Sequence, residues 1–113
     1  MMYDLVNEIQ AKIQELEVSI KQLRKNGTEY AEAERDYKIA INKKAIELRS
    51  QDMPVTLINL AIYGYHDVAE LRFKRDIAKV MYEANTEHIN TTKLIIRILE
   101  AQLSREWGSN LSD

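Results

Sequence analysis

Two histidines, a scatter of carboxylates, a group of basic residues near mid-chain and six tyrosines are the side chains here that could do chemistry. His66 and His88 are far apart and match neither the H-E-x-x-H nor the Glu-x-x-His spacing of metal sites, so no metal is expected. Carboxylates such as Glu32, Glu34 and Asp36 alternate with Arg35 and Lys38 at helical spacing, the pattern of a solvated face rather than of an acid–base pair. The three glycines are isolated, which excludes a phosphate-cradling loop and a nucleophile elbow. With no cysteine there is no thiol nucleophile, thiolate metal site or disulfide framework. The residues argue against an enzyme and imply no cofactor.

Binding chemistry is better represented. Arg49, Arg72, Lys74, Arg75 and Lys79 cluster in sequence around the stretch MPVTLINLAIYGYHDVAELR. That stretch has the rhythm of a helix-turn-helix: a short helix, a glycine turn and a second helix with an early Val-Ala. The five basic side chains are therefore candidate contacts to nucleic acid, against the plainer reading of a packed corner with solvated cations. Tyr63 and Tyr65 flank Gly64 and are candidate interface anchors, or equally lids over the corner.

These residues must be positioned by helices. From residue 2 to residue 50, apolar side chains at Val6, Ile9, Ile13, Leu16, Ile20 and Leu23 recur in steps of three and four, a heptad seam. The seam keeps phase across Asn26-Gly27-Thr28 into Tyr30, Tyr37, Ile41 and Leu48, which favours one long helix weakened at Gly27 over two helices. Residues 51–66 form a corner: Asp52 or Met53 before Pro54 stops the first arm, a short apolar helix follows, and Gly64 suits a left-handed cap. The corner is expected to bury Val55, Leu57, Ile58, Leu60, Ala61 and Ile62. Asp67 then caps the second arm, with Glu70 completing a capping box. This arm runs over residues 67–107, and Gly108 ends it before a short frayed tail, 108–113.

The second arm carries a seam at Phe73, Ile77, Val80 and Ala84, a polar middle, and two apolar stripes near its end. One stripe is Leu94, Ile98 and Ala101; the other is Ile89, Ile96, Leu99, Leu103 and Trp107. A hairpin buries one seam per helix, so the second stripe is read as spare. The expected fold is all-α: one domain, an elongated antiparallel hairpin of two long helices joined by a short helical corner, with Gly27 facing the belt around Asn85–His88. The spare stripe predicts a homo-oligomer, a dimer in the first instance, or docking of another protein's helix.

Composition agrees with that picture. Apolar residues make up 45% and charged ones 30% of 113 residues, and the net charge of −2 gives no general attraction to nucleic acid or anionic lipid. No apolar run approaches the roughly 20 residues a membrane span needs. MMYDLVNEIQ lacks a secretory pattern, so a cytoplasmic location is expected.

The segments AEAERDYKIAINKKAIELR, MPVTLI, VAELRFKRDIAKVMYEA and KLIIRILEAQLSREWG together resemble small all-helical proteins encoded by phages and prophages of Gram-positive bacteria. The resemblance covers the chain from about residue 29 onward. It implies a protein acting in the host cytoplasm, among replication and recombination functions, and supplies no activity or functional residues. The first functional reading is a non-enzymatic accessory or host-modulating protein that docks helix faces. Direct nucleic-acid binding is the alternative, and a purely structural assembly protein the third.

Overall fold

The computed structural model describes residues 2–112, with the side chains of 110–112 left aside. The described chain is all-α: helix α1 spans Met2–Ser50, α2 spans Val55–Ala61, a 3-10 turn covers Ile62–Gly64, and α3 spans His66–Ser112. The two long helices run antiparallel as a helical hairpin. By packing, the chain divides into two compact units that share both helices: residues up to Arg24 with those from Glu83 onward, and residues 25–82.

Helix α1 is continuous through Gly27. A helical interior glycine costs only about 1 kcal/mol relative to alanine, too little to break a seam that holds its phase on both sides. The nearest atom to a Cβ at Gly27 would be Tyr82 Cε2 at 3.5 Å, ordinary contact. Gly27→Ala should therefore fit and raise stability by up to about 1 kcal/mol, read as a higher midpoint in denaturant with an unchanged slope. Gly27 faces the Tyr82 ring, not the polar belt expected from the sequence; that belt's Asn85 lies against Ser19 instead.

Asp52 ends α1 in the left-handed region, at φ 62°. Met53 N–H donates to the Leu48 carbonyl (3.1 Å) and Asp52 N–H to that of Arg49 (3.0 Å), a Schellman motif. Met53 also packs against the cluster containing Leu48, supplying the apolar contact that accompanies this motif. Pro54 is extended (φ −60°, ψ 144°), and its carbonyl accepts the first bond of α2, from Ile58 N–H at 3.0 Å.

Several local expectations need correction. No glycine has positive φ, so Gly64 closes the 3-10 turn without a left-handed cap and Gly108 lies within α3, which runs on to Ser112. The left-handed position at the corner is Asp52. Asp67 is not the N-cap of α3: the helix begins one residue earlier, Ala69 N–H donates to Tyr65 O at 2.8 Å, and Asp67 sits in the first turn. There its negative charge still opposes the helix dipole. Of the corner's apolar residues, Ile58 and Ile62 are buried, each 4% exposed. Val55, Leu57 and Leu60 face solvent, because a two-turn helix laid on one surface can bury only one side.

The seam is rotated from the one read in sequence. On α1 the buried side chains are Leu5, Ile9, Ser19, Asn26, Ala33, Tyr37 and Leu48, while Val6, Ile13 and Ile20 are exposed. The shared line Ile9–Leu16–Leu23–Tyr30–Tyr37 does face inward or lies half-buried; what differs is which neighbouring line accompanies it. The inner line is the one bearing small and amide residues. Small side chains let the helices approach, and no buried side-chain N or O among the described residues lacks a hydrogen-bond partner.

In the first unit, Leu5 and Ile9 pack with Leu99, flanked by Ile95 and Leu103. Asn85 Nδ2 donates to Ser19 O at 3.0 Å, and Glu15 meets His88 Nε2 at 3.1 Å. In the second unit, Leu48, Ile58 and Ile62 form the corner core, with Ile41, Ala45 and Tyr65 against it. Glu34 pairs with Arg75 at 2.9 Å and Lys44 with Asp67 at 3.1 Å, which fixes the antiparallel register there.

Candidate functional site

The basic residues singled out in the sequence have different surroundings. Arg75 is largely covered (side chain 21% exposed): Nη1 donates to Glu34 at 2.9 Å, Nε to Asp76 at 2.8 Å, and the guanidinium lies 4.7 Å from the Tyr37 ring centre. Glu34 first, and then Asp76, hold it in its charged form against the cost of burial, and its pKa is raised. Arg72 is exposed and stacks its guanidinium 5.2 Å from the Tyr63 ring. Arg49, Lys74 and Lys79 are exposed. Lys44 lies 5.0 Å from the Tyr65 ring and bridges Asp67 and Glu47. Tyr65 packs on the corner core, whereas Tyr63 is 46% exposed. His66 opens α3 and is exposed; His88 sits beside Glu15.

Of the candidate interface stripe, Ile89, Ile96 and Leu99 are buried in the hairpin and Leu103 is half-buried against Leu5, Ile9 and Leu99; Trp107 alone is exposed. The spare stripe is the other one: Leu94 and Ile98 stand 53% and 55% exposed. Likewise Phe73, Ile77 and Val80, read as seam, face solvent, and their seam places are taken by Leu71, Arg75 and Ala78. The signal that separates them is the unbroken seven-residue series Val68–Arg75–Tyr82–Ile89–Ile96–Leu103, which keeps one face through the whole helix.

A concave feature lies in the second unit. Ala33 on α1 and Ala78 on α3 are small seam residues, and above them opens a groove of about 690 Å³. Phe73, Ile77 and Met81, at i, i+4 and i+8, form an apolar wall along α3. Glu29, Glu32, Asp36 and Glu70 rim it, with Lys74 the one cation. Large apolar side chains this exposed, aligned and edged by charge are features of an interaction surface. Among the described residues no group of three or more His, Asp or Glu is placed to hold a metal ion. No described helix is long and apolar enough to cross a membrane.

Three carboxyls are held below the usual carboxylate range. Lys12 lowers Glu15, with His88 contributing; Arg75, then Lys38, lower Glu34; Lys44 and the Val68 N–H lower Asp67. Asp67 in turn raises Lys44, with Glu47 adding to it. A carboxyl lowered by folding stabilises the fold fully above its unfolded value, near pH 4, and loses that contribution as pH falls through the folded value. The raised Lys44 does the reverse, losing its contribution as pH rises beyond about 10. Thermal midpoints should therefore be flat from about pH 6 to 9 and decline below about pH 4. A decline already under way at pH 6 would show that these pairs do not govern acid stability.

Fold and surface together define an all-α helical hairpin with an apolar, acid-rimmed groove. Comparison with protein-family models, curated proteins and solved structures finds no match to this chain.

Proposed function

We propose that this chain is a non-enzymatic interaction protein that docks helix faces against a partner, as an accessory in phage DNA metabolism or a modulator of a host protein. The observation that carries this reading is the wall of Phe73, Ile77 and Met81, which are 63%, 50% and 54% exposed. An amphipathic helix laid in a groove reads such i, i+4, i+8 spacing as a set of anchors. Nucleic-acid binding through Arg49, Arg72, Lys74, Arg75 and Lys79 draws less support. Arg75 is committed to Glu34 and Asp76, Arg72 lies on Tyr63, and the neighbouring groove rim is acidic and would repel phosphate.

The test is photo-crosslinking in the expressing cell, with p-benzoylphenylalanine at position 73 and, as control, at the exposed Glu17. A protein adduct specific to position 73 supports the docking reading. Adducts to nucleic acid alone, or none beyond the control, would refute it.

A further inference from the structure

Resting on the docking reading, we infer that the occupant of this groove is a basic amphipathic helix of another protein. Its apolar stripe lies on Phe73, Ile77 and Met81, and its lysine or arginine side chains lie over the carboxylates opposite. The two walls of the groove differ in chemistry. On α3 the apolar residues recur at every fourth position, while on α1 Glu29, Glu32 and Asp36 stand at i, i+3 and i+7, on one face of that helix. The Glu34–Arg75 pair sets the register, so Phe73 stands about level with Asp36, Ile77 with Glu32 and Met81 with Glu29. An occupant with one apolar line and one cationic line beside it matches both walls at once.

Charge selects that occupant. Four carboxylates, Glu70 being the fourth, less the one ammonium of Lys74 leave this small surface at −3, more negative than the −2 of the whole chain. Glu34, Glu47, Asp67 and Asp76 each hold an ion pair within the second unit. Among the described residues none pairs with the exposed Glu29, Glu32 or Glu70, and Asp36 has only its neighbour Arg35. Glu29–Glu32 and Glu32–Asp36 are like-charge pairs at i, i+3 and i, i+4, each a small cost to α1 that cations from a partner convert into attraction. A second copy of the chain would set one acidic rim against another.

Fluorescence anisotropy with two labelled peptides tests this at physiological ionic strength. Both peptides are stapled helices of about four turns with one stripe of leucines, and they differ only in carrying lysine or glutamate beside it. The lysine peptide should bind at least about tenfold more tightly than the glutamate peptide. In E29Q/E32Q/E70Q, where Asp36 and Lys74 balance, that preference should fall to within about threefold. E8Q/E17Q/E87Q removes as many exposed carboxylates from the first unit and should leave the preference unchanged. F73A/I77A should weaken the lysine peptide at least about tenfold, with helical circular dichroism intact because both side chains are exposed. Equal binding of the two peptides, or binding of neither, overturns the inference. So does a preference that survives E29Q/E32Q/E70Q, or an F73A/I77A variant that binds as the wild type does. Any of those results together with a position-73 protein adduct removes only the basic helix as occupant; with no adduct, the docking reading falls too.

Discussion

Leu48→Ala should cost about 2–5 kcal/mol, a large part of the roughly 5–15 kcal/mol that holds a domain of this size together. Leu48 is 2% exposed and joins α1 to α2 through Ile58 and Ile62. It is also the residue whose carbonyl accepts the bond from Met53 N–H that closes the helix end. Truncation leaves a cavity between elements that are held in place by little else, since α2 has only two turns and one buried residue of its own. The expected result is a fall in thermal midpoint of more than about 10 °C. Leu60→Ala is the matched control, because Leu60 is 82% exposed in the same corner and should change stability by less than about 0.5 kcal/mol. If the two variants melted alike, the assignment of the corner core to Leu48, Ile58 and Ile62 would be wrong.

The second large effect is expected at Arg75. Its guanidinium fork serves Glu34 on the facing helix and Asp76 on its own, over the Tyr37 ring, at a seam position where most residues are apolar. Removing it leaves Glu34 in the seam without its strongest partner and strips cover from Tyr37. Arg75→Ala should lower the melting temperature clearly more than Arg72→Ala, whose exposed side chain should matter by no more than about 0.5 kcal/mol. Arg75→Lys should recover only part of the loss, because a point charge cannot bridge both carboxylates as a planar fork does. Equal melting of the Arg75 and Arg72 alanine variants would mean that Arg75 does not lock the register.

The fold was largely legible because its signals are local. Val6 to Leu48 repeat in threes and fours, no proline or glycine interrupts residues 65–107, and the one proline marks the corner. Continuity at Gly27 followed from phase alone. The rotation of the helices was not legible. Ile9, Leu16 and Leu23 define a line, but Val6–Ile13–Ile20 and Leu5–Lys12–Ser19 lie on either side of it, and hydrophobicity favours the wrong one. The choice depends on the facing helix, where Asn85 needs an acceptor and finds the Ser19 carbonyl. The same ambiguity put Ile89, Ile96 and Leu99 outside and Phe73 and Ile77 inside. The candidate site therefore emerged only once side chains were placed. Asp67 is a different case: α3 begins one residue before it, at His66, and its carboxylate serves Val68 N–H with one oxygen and Lys44, distant in sequence, with the other.

The Schellman reversal at Asp52 also sets an order in time. The pairs that join α1 to α3 span progressively longer stretches of chain: 41 residues between Glu34 and Arg75, and 66 between Ser19 and Asn85. Loop closure costs more entropy as the span grows unless nearer contacts have formed first. Folding is therefore expected to zip outward from residues 48–58. Leu48→Ala should then slow refolding, while Leu99→Ala should chiefly speed unfolding. Stopped-flow chevrons would show the opposite split if the helix ends met first.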